Sequence, residues 1–156
     1  MDLYTTVKSP IGDLLLTSDG ERLTGLKMSP FRPDPAWKRS PAALGPAAAQ
    51  LEAYFAGELR AFDLELTTVG SPFQRSVWHA LADIPYGETI SYGELARRIG
   101  NPRAVRAVGR ANGANPIAIV LPCHRVIGSN GTLTGYGGGL DRKAKLLALE
   151  GIAVPV

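Results

Sequence analysis

Ser91-Tyr92-Gly93-Glu94-Leu95-Ala96-Arg97-Arg98-Ile99-Gly100-Asn101-Pro102-Arg103-Ala104-Val105-Arg106-Ala107-Val108-Gly109-Arg110-Ala111-Asn112-Gly113 reads as two short helices and a tight turn. Ser91, with Glu94 three residues on, is a capping box that opens a helix through Ile99. Gly100-Asn101-Pro102 stops that helix, caps the next and restarts it. The second helix is expected from Pro102 to Asn112, with Gly113 as its end. A Gly-containing turn between two short helices is a helix-turn-helix pattern. The second helix is made of arginines and small residues. Small residues let a backbone approach a partner closely, either another helix in the core or the floor of a DNA groove. Arginines are costly to bury, which favours DNA.

On the N-terminal side, Ser71-Pro72-Phe73-Gln74 combines a Ser cap, Pro at the first helical position and Gln three residues on. The helix it opens should turn Phe73, Val77, Trp78 and Leu81 inward and stop near Asp83. Ile84-Pro85-Tyr86-Gly87 is a turn. On the C-terminal side, Ile117 to Leu121 is a continuous apolar run, read as a buried strand or extended segment leading into Pro122-Cys123. Ser129-Asn130-Gly131 is a turn, and Gly135-Tyr136-Gly137-Gly138-Gly139 a glycine-rich loop. No Lys-Ser/Thr follows that loop, so it does not read as a nucleotide-phosphate cradle. A last helix opens at Asp141 and closes at Glu150-Gly151.

The first seventy residues have a different texture. Tyr4 to Val7, Leu14 to Thr17 and Leu23 to Met28 read as short strands joined by turns at Pro10–Gly12 and Ser18–Gly20. Five prolines between Pro30 and Pro46 mark an irregular loop. A helix follows at about Ala47 to Ala56, with Leu51, Tyr54 and Phe55 on one face. Phe62 to Leu66 alternates apolar and acidic residues like a half-exposed strand. The expected architecture is an α/β lobe over residues 1–70, a short antiparallel sheet plus a helix, packed on a mostly helical lobe over residues 71–156.

Bulk properties bound the function. The chain has 156 residues, 45% of them hydrophobic and 20% charged, so it can bury a core. No segment has the apolar length of a membrane span, and Met1 to Tyr4 shows no signal-peptide pattern, so no membrane partner and a cytoplasmic location are expected. The net charge is +3, but Thr89 to Arg125 holds six arginines (97, 98, 103, 106, 110 and 125) against a single acid, Glu94. A locally basic segment suggests phosphate contacts.

The chain has one cysteine, Cys123, followed by one of its two histidines, His124. A lone thiol cannot form an internal disulfide or a cysteine-rich zinc cluster. It is most often a small buried apolar residue. It becomes a nucleophile where a base or positive charge helps remove its proton. Adjacency in an extended run does not by itself join Cys123 to His124. His79 lies on the Pro72–Asp83 helix without metal-ligand companions and reads as a surface or structural residue. Neither a metal nor another cofactor is expected.

Pro122-Cys123-His124-Arg125-Val126 resembles the active-site signature of the O6-alkylguanine-DNA alkyltransferases. Ile90 to Ala96, Gly100-Asn101-Pro102, Arg106-Ala107-Val108-Gly109, Asn112 to Ile117, Tyr136 to Gly139 and Glu150-Gly151 resemble that family in order and spacing. Weaker likeness reaches the N-terminus in Ser9-Pro10-Ile11-Gly12 and Tyr54-Phe55-Ala56-Gly57. The resemblance implies direct-reversal DNA repair, in which an alkyl group on O6 of guanine, or on O4 of thymine, passes irreversibly to Cys123. His124 would act as base through a bound water. Glu150 would orient the imidazole, Tyr92 would donate a proton to the leaving base, and Asn115 would brace the segment. Arg106 would fill the gap left by a flipped base, with Arg103, Arg110, Ala107 and Tyr92 at the DNA. Val126, Tyr136 and Gly137 would line the lesion pocket. Gly137 stands where some relatives carry a hydroxyl residue, and the zinc site of some relatives is absent. The implied partner is double-stranded DNA carrying O6-alkylguanine, with cooperative self-assembly on DNA left open.

Two other readings compete on the residues alone. In one, the chain is a DNA-binding module with Cys123 as a core residue. That leaves Pro122-Cys123-His124 and Glu150 without a purpose. In the other it is a Cys-His hydrolase, which needs an oxyanion hole that nothing in the sequence specifies.

Overall fold

The computed structural model describes residues 2–131, 133, 136 and 138–153. The chain divides into two compact units, residues 1–68 and 69–156.

The first unit is built on β1 (Leu3–Val7), β2 (Leu14–Ser18) and β3 (Leu23–Met28), paired antiparallel as consecutive hairpins. Leu14, Leu15 and Leu16 are all buried, so β2 is covered on both faces. That is why it reads as a continuous apolar run rather than an alternation. The sheet is not wholly antiparallel, as the sequence suggested. A two-residue strand, β4 (Lys38–Arg39), pairs parallel to β1 from within the proline-rich loop. Helix α1 (Gly45–Phe55) starts two residues earlier than expected, with Pro46 in its first turn, and buries Ala47, Leu51 and Tyr54. The predicted strand at Phe62–Leu66 is reduced to one bridge, Leu66 to Leu23. Gln50 holds this segment instead, bonding the N–H and C=O of Asp63.

The second unit is mostly helical: α2 (Pro72–Leu81), α3 (Tyr92–Arg98), α4 (Val105–Gly113) and α5 (Leu140–Leu149). The Ser71–Gln74 capping box forms in full at α2. Gly70, just before it, is obligatory, since a Cβ there would stand 2.7 Å from the Trp78 ring. Trp78 in turn donates its indole N–H to the Ala111 carbonyl at 2.8 Å, pinning α2 to α4. At α3 the Ser91 hydroxyl accepts from the Glu94 N–H, while the Glu94 carboxylate turns outward to Arg97 and Arg98. Helix α4 begins at Val105 rather than Pro102, because Asn101 C=O first closes a turn onto the Ala104 N–H.

The run Ile117–Leu121 is not a strand. Ile119 has φ 72°, and the Val120 N–H bonds back to the Ala118 carbonyl at 2.8 Å. A β-branched residue rarely takes positive φ, so this γ-turn stores strain. The chain reverses sharply and bridges Ala118 to Leu121. Apolar content correctly reports burial here, since Ile117, Ile119 and Leu121 are inside. It says nothing about direction. A second tight turn, Cys123 N–H to Leu121 C=O, delivers the chain into one turn of 3-10 helix, Cys123–Arg125. Two short strands, β5 (Ile90–Ser91) and β6 (Val126–Ile127), then pair in parallel. Their pairing sets the start of α3, at Tyr92, beside the end of the cysteine turn.

Candidate active site

The 3-10 turn buries Cys123, His124 and Arg125 together. His124 is fully enclosed, and its Nε2 lies 2.6 Å from Glu150 Oε2. Glu150 caps the C-terminal end of α5, where a negative charge opposes the helix dipole. Arg125 offsets this, donating from Nε to Glu150 Oε1 at 2.8 Å and from Nη2 to Oε2 at 3.1 Å. Its Nη1 donates to the Ile84 carbonyl at 2.6 Å, and the Gly87 N–H donates to Oε1 at 3.1 Å. The Ile84–Gly87 turn thus completes a ring of donors around one carboxylate. Because both carboxylate oxygens accept, the imidazole carries its proton on Nε2. Nδ1 is left as a lone-pair nitrogen, buried and with no hydrogen-bond partner among the described residues.

Burial pushes the His124 pKa below its ordinary value, against the pull of Glu150. The Arg125 guanidinium, which already shares that carboxylate, adds to the lowering. The imidazole is therefore neutral near pH 7 and able to accept a proton at Nδ1. Burial pushes the Cys123 thiol up; a hydrogen bond from the Asn115 side chain, the Lys143 charge and the Tyr136 hydroxyl partly pull it back. Asn115 also donates to the Leu121 carbonyl at 2.7 Å and accepts from the Ile117 N–H at 3.0 Å, clamping both ends of the strained reversal. The Asn112 amide, on α4, reaches the Cys123 carbonyl at 3.4 Å. A thiol, an imidazole with an open nitrogen and a carboxylate are thus set in chain order Cys, His, Glu.

Two family models match the chain. The ribonuclease-like domain of 6-O-methylguanine DNA methyltransferase covers residues 3–68, and the DNA binding domain of the same family covers residues 72–152. The chain belongs to the 6-O-methylguanine DNA methyltransferase family. A methylated-DNA–protein-cysteine methyltransferase of Mycolicibacterium paratuberculosis is 61% identical over 150 residues, covering 94% of this chain and 91% of the relative. One from Methanosarcina acetivorans is 55% identical, covering 95% and 97%. A crystal structure of Mycobacterium tuberculosis OGT in complex with DNA is 57% identical, with a TM-score of 0.91, covering 95% of this chain and 92% of that one. Family membership carries the activity with it: DNA repair by transfer of an alkyl group to a cysteine of the protein.

The remaining sequence candidates lie on β6, at the start of α3, in the loop before α5, and on or just before α4. Val126 is buried on β6, Tyr136 is half-buried, and Tyr92 is half-buried at the start of α3. Gly137 lies outside the described residues. Arg103, Arg106 and Arg110 are exposed, and Ala107 is half-buried on α4, whose other side buries Val108, Ala111 and Asn112. Gly109 brings α4 against the Tyr92 ring, 3.9 Å from where a Cβ would be. The basic stretch is less uniform than its charge count implied. Arg125 is buried on Glu150, so it is not a phosphate contact, and Arg97 and Arg98 both engage Glu94. His79 is exposed, as its sequence context suggested, and no group of three metal-ligating side chains occurs among the described residues. No helix among them is long and apolar enough to cross a membrane.

One functional group escaped the sequence reading. Lys143 is fully buried, and its Nζ donates to the Val126 carbonyl at 2.6 Å. A signal existed. Lys143, Leu146, Leu147 and Glu150 follow the i, i+3, i+4, i+7 spacing of one helix face, and all four are buried. A lysine on the buried stripe of an amphipathic helix is an anomaly that composition and motif reading pass over.

Proposed function

We propose that Cys123 is the alkyl acceptor and that O6-alkylguanine in double-stranded DNA is the substrate. The family reaction ends on a cysteine, and this chain has one. The observation that carries the reading is the open, buried Nδ1 of His124, set next in sequence to the thiol and backed by Glu150 through Nε2. Such a nitrogen accepts the thiol proton through a bridging water. Glu150 fixes the tautomer and stabilises the imidazolium, as the carboxylate does in a triad.

The sulfur then attacks the alkyl carbon. The S–C bond forms, the C–O6 bond breaks, and the electron pair leaves on the guanine. Tyr92, on the first turn of α3, supplies a proton to that leaving base. Asn115 holds the segment that carries the nucleophile. A thioether is a poor leaving group, so Cys123 is consumed and each molecule acts once. An atom inside the base stack is out of reach of a buried thiol, so the nucleotide has to be extruded. Arg106, exposed on α4, enters the vacated space, while Arg103 and Arg110 meet phosphates and Ala107 lets the helix approach closely. Val126 and Tyr136 line the lesion pocket. DNA binding and alkyl acceptance then both fall to the second unit.

The test is the intact mass of the protein after incubation with a duplex containing O6-methylguanine. The expected result is a gain of one CH2, mapped to Cys123 and absent in Cys123→Ser. Tight lesion binding without a mass gain would make the chain a lesion-recognition module instead.

A further inference from the structure

The fold closes one further ionisable group into the acceptor site. Lys143 sits on α5, the helix packed against the 3-10 turn that carries Cys123. Its Nζ is held by the Val126 carbonyl and lies 5.8 Å from the centre of the Tyr92 ring and 6.0 Å from that of Tyr136. Aromatic faces attract a cation at such distances. A leucine or methionine would fill this space without the cost of desolvating an ammonium.

We infer that Lys143 is the charge partner of the acceptor thiol: its buried ammonium, fixed by the Val126 carbonyl against the rings of Tyr92 and Tyr136, is the positive charge against which the Cys123 thiolate forms. This rests on Cys123 being the acceptor. Lys143 is a positioning residue that does not take the thiol proton. The S–H bond breaks, the proton passes to His124 Nδ1, the electron pair stays on sulfur, and Lys143 keeps its three protons. Burial lowers Lys143 from 10.5 to about 8, while the charge on Cys123 pulls it back up; the effect is mutual, since Lys143 pulls the thiol down.

The titratable and charged groups around this site are Cys123, His124 and Arg125 from the 3-10 turn, Tyr92 from α3, Tyr136 from the preceding loop and Glu150 from the end of α5. The competent form has neutral His124 and charged Lys143. Because His124 is lowered from 6.5 and Lys143 titrates at about 8, that form spans neutral pH.

The test is a pH titration of thiolate absorbance in the DNA-free full chain, with Cys123→Ser as the blank. Its single cysteine makes the signal unambiguous. Lys143→Met should move the midpoint upward, leaving roughly tenfold less thiolate at a given pH, as expected for losing an opposite charge nearby. Lys143→Arg keeps the charge and should stay near the wild-type curve. An unmoved midpoint in Lys143→Met, or an equal rise in both variants, would overturn the inference.

Should Lys143→Met fail to fold, the wild-type chain decides the matter. The lysine side-chain NMR signal is titrated before and after Cys123 is methylated with methyl iodide. Loss of the thiolate should lower the Lys143 midpoint, by reciprocity of the coupling; an unchanged or raised midpoint sinks the idea. None of these titrations uses DNA, so they fail or succeed independently of methyl transfer from O6-methylguanine.

Discussion

Glu94 and Glu150 are the same chemical grouping in two settings: a carboxylate shared by two basic side chains near a helix end. Glu94 is on the surface of α3, its side chain 36% exposed, with Arg97 at 2.8 Å and Arg98 at 3.4 Å. Glu150 is closed off, with His124 at 2.6 Å and Arg125 at 2.8 Å. Water and salt compete for the first group, so its geometry is loosely held and weakly stabilising. The second has no such competitor. Each donor there is obligatory, and removing one leaves a buried charge or polar atom uncompensated. Similar groupings therefore make an adjustable surface in one place and a rigidly held carboxylate in the other.

The sharpest way to break this comparison is Glu150→Gln. The amide cannot accept from His124 and Arg125 as the carboxylate does. Methyl transfer to Cys123 should fall by about 10³-fold or more through loss of the tautomer and of charge stabilisation. Thermal or denaturant unfolding should show a loss of about 3–5 kcal/mol, the cost of breaking a buried pair. If Glu150→Gln proved no more damaging than Glu94→Gln, burial would not be what separates the two sites.

Acidification probes the same contrast without a mutation. The His124 pKa in the fold lies below its ordinary 6.5, mainly through burial. The unfolded chain therefore binds the proton more readily. Stability is full above about pH 6.5 and falls as pH drops below it, by up to about 1.4 kcal/mol per pH unit for one proton. The transfer rate should fall only at lower pH, once pH drops through the depressed folded value and the base is occupied. Denaturant melts at stepped pH would show it; a midpoint flat from pH 7 to 5 would contradict a neutral buried imidazole.

On the exposed side, the readout is salt. Replacing Arg103 or Arg110 by Ala should reduce the slope of log affinity against log salt by about 1 for each phosphate left without its arginine. Arg106→Ala should affect transfer from duplex DNA more than the salt slope, since its proposed place is inside the stack. A fluorescence-anisotropy salt series beside single-turnover rates would separate these.

The smallest effect is expected at Glu94→Gln. The Arg97 and Arg98 side chains hold the Glu94 carboxyl below its ordinary value. Its contribution is present above the unfolded pKa and is lost as pH falls through the lower folded value. Because the group is exposed, melting should hardly change, while DNA binding should tighten as both arginines are released. A marked loss of stability would show that Glu94 resembles Glu150 after all.

The elements that the sequence announced are those governed by local rules. Ser71 and Ser91 cap the helices they were expected to cap, and β1, β2 and β3 stand where turn residues and β-prone runs put them. The departures depend on contacts that the local pattern does not announce. Lys38–Arg39 carries no strand signal and pairs only because β1 offers an edge. Ile117–Leu121 looks extended, but Asn115 and the γ-turn at Ile119 fold it back. Arg125 looked like one more surface arginine until Glu150, twenty-five residues later, claimed it.

Taken alone, the sequence determined where α2 and α3 start and where β1, β2 and β3 lie, and it offered one cysteine as the candidate acceptor, because capping, turn chemistry and composition are legible without the fold. The tertiary structure decided what the charged residues mean. Whether an arginine meets phosphate or Glu150, whether His124 is a base or an ion, and whether Lys143 is solvated or set against a thiol depends on desolvation. Desolvation is fixed only when distant parts of the chain close over a site.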